Sequence, residues 1–266
     1  MPWAQVHWRS DVLDKQTEMQ VLLPRVGRGP FPVLYLLHGI GGDSTTWIRQ
    51  TRIEWYVREL PLIVVIPDGY RGFYTDNDHG PAYARHFGVE LVNFVDGNFQ
   101  TRPERAARAI GGLSMGGYGA LRLGLGFAEK FCSVNSHSGA LGRSNADFSH
   151  EAEQAGRHRD KSREFLAELR RIFGTKPNDT EHDILRLAQR AQKAGNLPHL
   201  LLDCGTEDFL LEDNRDFHRQ LTAAGVPHEY REHKGAHDYD YWDRHVQDAL
   251  KWHCKHLGVE KAPMSR

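Results

Sequence analysis

The chain has 266 residues, a formal net charge of −1, and 39% hydrophobic against 26% charged residues, so it can build a sizeable core and is not disordered. This balance, with no long run of one sign, gives no footprint for nucleic acid: the densest basic stretch, RHRDKSREFLAELRR (157–171), mixes acids among its bases and reads as a solvated helix face. No run approaches the roughly 18 apolar residues of a membrane span, and Cys132, Cys204 and Cys254 are too scattered for a zinc ribbon or a disulfide framework. The opening MPWAQVHWRSD has no signal-peptide pattern, so the expectation is a soluble, cytoplasmic protein with reduced cysteines.

AQVHWRS and KQTEMQVLLP alternate polar and apolar residues and predict an antiparallel pair at one sheet edge. FPVLYLLHG (31–39) and LPLIVVIPDG (60–69) are continuous apolar runs ending in glycine, the pattern of strands buried on both faces of a parallel sheet. ARAIGGLS (107–114), FCSVNSHSG (131–139) and LPHLLLDCGTED (197–208) repeat it. Helical stretches lie between: STTWIRQTRIEWYVREL, YARHFGVELVNFVDGNF and GYGALRLGLGFAEKF. Strand and helix alternating at this spacing predict βαβ units in one mostly parallel, doubly wound sheet.

Residues 142–196 interrupt the rhythm with a polar segment holding SREFLAELRRIFG and DTEHDILRLAQRAQKAG. They read as a helical insertion over the strand ends, a lid or pocket wall, or alternatively as ordinary crossover helices. The expectation is one domain, 1–266, with a small cap at about 142–196 and a frayed tail, GVEKAPMSR.

Gly112-Leu113-Ser114-Met115-Gly116 fits G-x-S-x-G between a predicted strand and a predicted helix. That context suits a strained turn presenting Ser114 as a nucleophile, with the helix N-terminus aimed at the reacting oxygen. A structural glycine turn is the plainer reading, and a phosphate cradle is disfavoured because G-x-x-x-x-G-K-[ST] is absent. A serine hydroxyl needs a base. In this architecture an acid and then a histidine follow later strands. LLLDCGTEDFLLEDN supplies Asp208 just past a strand, with Glu207 as its competitor. Asp203 falls inside the strand, and Asp213 falls at the start of the next helix, as its cap.

HEYREHKGAHDYDYW supplies His237 in a glycine-containing loop after the last strand. His233, four residues earlier, belongs to the strand and faces one side of the sheet. A strand separates the two histidines by about 13 Å, and no HExxH is present, so no metal is expected. An oxyanion hole needs two backbone amides. Met115, after the serine, and Ile40, in HGIGGD (38–43), are the candidates.

LLHGIGGDSTTW, VIPDGYRGFYTD, GGLSMGGYGALRLG, CGTEDFLLEDNRDF and GAHDYDYW, in this order over most of residues 33–242, resemble the esterase D branch of the α/β-hydrolases. That branch includes S-formylglutathione hydrolases, tributyrin-type acetyl esterases and feruloyl esterases. The resemblance implies Ser114 as nucleophile, His237 as base, Asp208 as its orienting acid and the Ile40 and Met115 amides as oxyanion hole. It is nearest the tributyrin and feruloyl side, where the segment like PDGYRGFYTD carries an aromatic near the acyl pocket. Phe73 and Tyr74 are therefore candidate wall residues. S-formylglutathione hydrolases usually carry a histidine where this chain has Tyr118, which weakens a glutathione thioester as substrate.

The expectation is a carboxylesterase for small, short-acyl esters that needs no cofactor. A thioesterase or acyltransferase using the same triad is the alternative, and a non-catalytic binding protein of the same fold is a distant third. Trp242, just past the histidine loop, lines the pocket or fills the core. Core is the default for it and for Trp47, Trp55, Tyr70, Phe73, Tyr74 and Tyr239. Oligomeric state is open, a homodimer included.

Overall fold

The computed structural model describes residues 1–154 and 162–261. In chain order, β1 (Trp3–Ser10), β2 (Lys15–Leu22) and β3 (Val33–Leu37) precede two short helices, α1 (Thr46–Gln50) and α2 (Ile53–Val57). β4 (Ile63–Pro67) is followed by α3 (Tyr83–Arg85), a π-helical turn (His86–Glu90) and α4 (Leu91–Asn98). Next come β5 (Arg108–Leu113), α5 (Met115–Gly126), β6 (Ser133–His137), α6 (His150–Gln154), α7 (Arg163–Phe173) and α8 (Ile184–Lys193). The chain closes with β7 (His199–Gly205), α9 (Leu211–Ala223), β8 (Glu229–His233) and α10 (Tyr239–Leu257).

The strands form one sheet in the order β1-β2-β4-β3-β5-β6-β7-β8. β1 and β2 are antiparallel to each other, and β2 is antiparallel to β4. Every other pairing is parallel. Alternation along the central strands sorts the core into two layers. Val33, Tyr35, Leu37, Ile63 and Val65 pack toward the helices α4, α5, α7, α8 and α9. Leu34, Leu36, Val64 and Ile66 pack toward α1, α2 and α10. Both faces are therefore dry, and the apolar runs carry no polar alternation.

The stretch expected as one helix after β3 divides at Thr51, whose backbone is extended and whose hydroxyl donates to the Trp47 carbonyl and accepts from the Ile53 amide. This local bonding ends α1 and starts α2. Trp55 departs from the core default: it is 61% exposed, with the Arg58 guanidinium 3.2 Å from its ring centroid. No helix among the described residues is long and apolar enough to cross a membrane.

Within 142–196, α8 packs beside α5 and its Ile184, Leu187 and Ala188 join the same core layer. α7, whose Leu166, Leu169, Ile172 and Phe173 join that layer too, also docks on the loop leaving the C-terminal end of β4. Asp78 and His79 amides donate to the Ile172 and Arg171 carbonyls at 2.9 Å, satisfying the last turn of α7, and Arg71 forms a bidentate pair with Glu168. Residues 157–161 of the basic stretch and 262–266 of the tail lie outside the described residues.

Beneath the sheet centre His253 is fully buried. The Ser133 hydroxyl is 2.8 Å from its Nδ1, and its Nε2–H donates to Asn135 Oδ1 at 2.9 Å, an arrangement that suits the neutral ring. Burial, then the neighbouring His137 and His256, push its pKa down to about 3. The unfolded chain takes up a proton near the ordinary histidine value and the folded one does not, so this contribution to stability is complete above about pH 6.5 and falls through the window down to about pH 3. Unfolding free energy is expected to drop by on the order of 2 kcal/mol on this account between pH 7.5 and 5. Denaturant titrations at both pH values check it. His253→Asn, which cannot titrate, should show a correspondingly smaller loss, and an undiminished loss would assign the acid sensitivity elsewhere.

Candidate active site

Ser114 stands between β5 and α5 with φ 54° and ψ −116°, a conformation rare for a residue bearing a Cβ. The turn is held from both sides. The Ser114 amide donates to the His137 carbonyl on β6 at 2.9 Å, and its own carbonyl accepts from Gly117, Tyr118 and Ala140. Gly112 and Gly116 are required by close approach: a Cβ on Gly112 would lie 2.5 Å from the Gly116 carbonyl oxygen, and one on Gly116 would lie 2.5 Å from the Leu37 carbonyl oxygen. The pattern G-x-S-x-G is thus a steric specification for this crossing of β3, β5 and α5.

His237 Nε2 lies 3.0 Å from Ser114 Oγ, and His237 Nδ1 lies 2.8 and 3.0 Å from the two carboxylate oxygens of Asp208. A carboxylate can only accept, so Nδ1 carries the proton and Nε2 presents a lone pair to the serine hydroxyl. Two backbone hydrogen bonds bring the acid loop and the histidine loop together: Thr206 N–H to the His233 carbonyl at 2.8 Å and Glu207 N–H to the Gly235 carbonyl at 2.9 Å. Asp208 is buried and also accepts from the Leu210 amide at 2.8 Å. Burial works against its charge, but bonds from His237, Leu210 and Ser138 outweigh it and hold the carboxyl below its ordinary value. Asp208 is therefore ionised at neutral pH, as an orienting acid must be.

The rival carboxylates go elsewhere. Glu207 is exposed. Asp203 sits in β7 and accepts from His137 Nδ1 at 2.7 Å and from the Tyr241 hydroxyl at 2.9 Å. Asp213 is the third residue of α9 rather than its cap; the N-cap position is Leu210. His233 ends β8, and its ring stacks on His245 of α10 with centroids 4.2 Å apart.

The loop after β3 runs against the serine, since a Cβ on Gly39 would lie 3.4 Å from Ser114 Cβ. His38, fully buried, fixes this loop. Its Nδ1 lies 2.8 Å from the Gly39 carbonyl oxygen, and its Nε2 accepts from the Gly69 amide at 2.8 Å. In a planar trans peptide the carbonyl and the following amide point in opposite directions. Gripping the Gly39 carbonyl therefore turns the Ile40 N–H away from His38. Met115 opens α5, where first-turn amides have no intrahelical acceptor.

Phe73 and Tyr74, the expected wall residues, are buried core side chains. Tyr74 is completely buried, its hydroxyl donating to the His38 carbonyl at 3.1 Å. Phe73 is 2% exposed and packs edge-on to Tyr118 and Phe173. Both have positive φ, 52° and 53°, and both rings pack into the core layer. Trp242 is buried too, with its ring edge-on to His237 at 4.9 Å and its Nε1–H donating to Ser138 Oγ.

The sequence reading missed His38 and the His137–Asp203–Tyr241 set behind the serine. His137 and Asp203 are direct register partners on β6 and β7, a relation visible only once the strands are paired. Among the described residues, His233, His245 and Asp248 bring donor atoms within 4.8 Å of one another. The two rings lie parallel to within 10°, so their in-plane lone pairs do not converge on one ion.

The arrangement can generate a nucleophile, accept its proton and return it. The Esterase family model matches residues 10–253. An acetyl esterase of Caldicellulosiruptor saccharolyticus is 32% identical over 96% of this chain and 99% of its own length. The crystal structure of an S-formylglutathione hydrolase (FrmB) from Staphylococcus aureus is similar with a TM-score of 0.80 at 28% identity, covering 95% of this chain and 98% of that one. The S. aureus fluorophosphonate-binding serine hydrolase F is similar with a TM-score of 0.78 at 29% identity, with the same coverage. The chain belongs to the esterase family, in the esterase D and feruloyl esterase branch of the α/β-hydrolase superfamily, and is an ester-hydrolysing enzyme.

Proposed function

We propose that the enzyme is a carboxylesterase for small, short-acyl esters, acting through an acyl-enzyme on Ser114. The observation that carries this is the continuous hydrogen-bonded line from Ser114 Oγ through His237 to buried Asp208, at 3.0 and 2.8 Å. Ser114 Oγ attacks the acyl carbonyl as its proton passes to His237 Nε2. The carbonyl oxygen takes up negative charge facing the Ile40 and Met115 amides. His237 then gives the proton to the departing alcohol oxygen, leaving the acyl group on Ser114. Water repeats the steps: it loses a proton to His237, attacks the acyl carbon and releases the acid as the proton returns to Ser114. Asp208 keeps its charge throughout and holds the Nδ1–H tautomer.

Small acyl groups are favoured because aromatic side chains already fill the space under the turn. Tyr74 lies so close to Gly119 that a Cβ there would be 2.3 Å from its ring, and it contacts the His38 ring as well. No step needs a cofactor. The family supplies a small-molecule ester as partner, and three unpaired cysteines suit a reducing, cytoplasmic setting. A thioesterase is the second reading, favoured by the similarity to the S. aureus S-formylglutathione hydrolase. Against it, residue 118, a histidine in most S-formylglutathione hydrolases, is here Tyr118, wholly buried, with its hydroxyl donating to the His182 carbonyl.

Turnover of p-nitrophenyl acetate, butyrate and octanoate, with the acetyl thioester of a matched thiol alongside, tests both readings. kcat/KM should fall by at least about tenfold from acetate to octanoate, the scale set by lost apolar fit. Oxygen ester and thioester should differ little in deacylation because they share one acyl-enzyme. Preference for octanoate overturns the short-acyl reading, and preference for the thioester by orders of magnitude makes the second reading the right one.

A further inference from the structure

Phe209 follows Asp208 directly, yet the residue is 76% exposed while Asp208 and Leu210 on either side are buried. The turn that carries it is tightly bonded. Asp208 N–H donates to the Gly205 carbonyl, Leu210 N–H to Asp208 Oδ1 and Leu211 N–H to the Asp208 carbonyl. The same hydrogen bonds that aim Asp208 inward therefore hold Phe209 outward. Its ring centroid is 4.5 Å from that of His237, with the planes tilted by 49°. On another side the imidazole meets buried Trp242 edge-on at 4.9 Å. The other large exposed apolar side chains among the described residues are Trp3 and Trp55. Trp3 is tied through its ring N–H to Gln20, and Trp55 lies under Arg58. Phe209 instead places bare apolar surface beside the imidazole that moves the proton.

The chemistry says which part of a substrate meets that surface. When the acyl-enzyme forms, His237 Nε2 delivers its proton to the alcohol oxygen, which must then lie within about 3 Å of that nitrogen. Carbon attached to the oxygen begins one bond further out, on the open side, within van der Waals reach of a ring packed against the imidazole. We propose that Phe209 is the alcohol-side specificity residue, an apolar platform favouring esters of aromatic or bulky apolar alcohols over those of small ones. This rests on Ser114 and His237 acting as described under Proposed function. The same platform receives the acceptor in the second half-reaction. An apolar alcohol there gives its hydroxyl proton to His237 Nε2 while its oxygen bonds to the acyl carbon. Ser114 Oγ departs and recovers the proton, and a new ester leaves. Benzyl alcohol should accordingly compete with water for the acyl group better than ethanol does at equal concentration.

The experiment compares wild type, Phe209→Ala and Phe209→Trp on benzyl acetate and ethyl acetate, which pass through one acetyl-enzyme, with Ser114→Ala run alongside. Wild type should prefer the benzyl ester. Phe209→Ala should lower the benzyl-to-ethyl ratio of kcat/KM about tenfold, the scale of uncovering part of an aromatic contact, the benzyl ester losing more than the ethyl ester. Phe209→Trp should keep the ratio, and benzyl-over-ethyl capture of the acetyl group should fall in Phe209→Ala to match. An equal loss on both esters would assign Phe209 a merely structural role beside His237 and overturn the proposal, as would an unchanged ratio or a wild type with no benzyl preference. Full turnover of both esters by Ser114→Ala would instead overturn the acyl-enzyme reading, and this inference with it.

Discussion

Ser114→Ala is expected to lower kcat on p-nitrophenyl acetate by about 10⁴–10⁶, with KM little changed. Alanine keeps the Cβ, so the backbone at φ 54° is no more strained than before, and every backbone hydrogen bond of the turn can remain. What disappears is the atom that forms the acyl bond and the hydroxyl proton facing His237 at 3.0 Å. The residual rate should come from the amides at Ile40 and Met115 and from binding. Two readouts check this: steady-state turnover, and the mass gained from a fluorophosphonate, which wild type should take up once and the variant not at all. Equal activity in the variant would return the glycine-rich stretch to a structural turn.

Asp208→Asn should cost about 10⁴ in kcat while the protein stays folded. The asparagine oxygen can still accept from the Leu210 amide, so the turn is preserved. Its NH₂ group, however, would face His237 Nδ1 and favour the tautomer with the proton on Nε2. That tautomer points a proton, not a lone pair, at Ser114 and has no capacity to take the hydroxyl proton. Glu207→Gln, at an exposed position, should stay within about twofold of wild type, the ordinary behaviour of a surface substitution. Circular dichroism and a thermal melt on both variants separate loss of chemistry from loss of fold. A crippled Glu207→Gln beside an active Asp208→Asn would reverse the assignment of the acid.

The two strand types were readable because burial on two faces and burial on one face leave different patterns. Ile63–Pro67 is apolar throughout and lies inside the sheet, whereas Trp3–Ser10 alternates and lies at the edge. Helix boundaries were less readable where side chains bond to nearby backbone: Thr51 divides one expected helix into two through its own hydroxyl. The aromatic residues were ambiguous because composition does not tell which way a turn points. Phe73 and Tyr74 turn inward at positive φ, while Phe209, on an equally polar stretch, is held outward by the bonds around Asp208.

By itself, the sequence determined that this is an α/β chain with a serine at a strand-to-helix turn, and the order in which serine, acid and histidine must come. Glycines at 112 and 116 are local requirements of backbone contact, and apolar runs are local requirements of burial, so both are written where they act. Tertiary structure alone shows that Asp208 rather than Glu207 meets His237, through the hydrogen bonds joining residues 206–207 to 233–235. It alone also revealed His38 gripping Gly39 and the His137–Asp203 pair, contacts made across 31 residues from His38 to Gly69 and across a register of parallel strands. Such relations depend on which strands become neighbours, and no single segment carries that information.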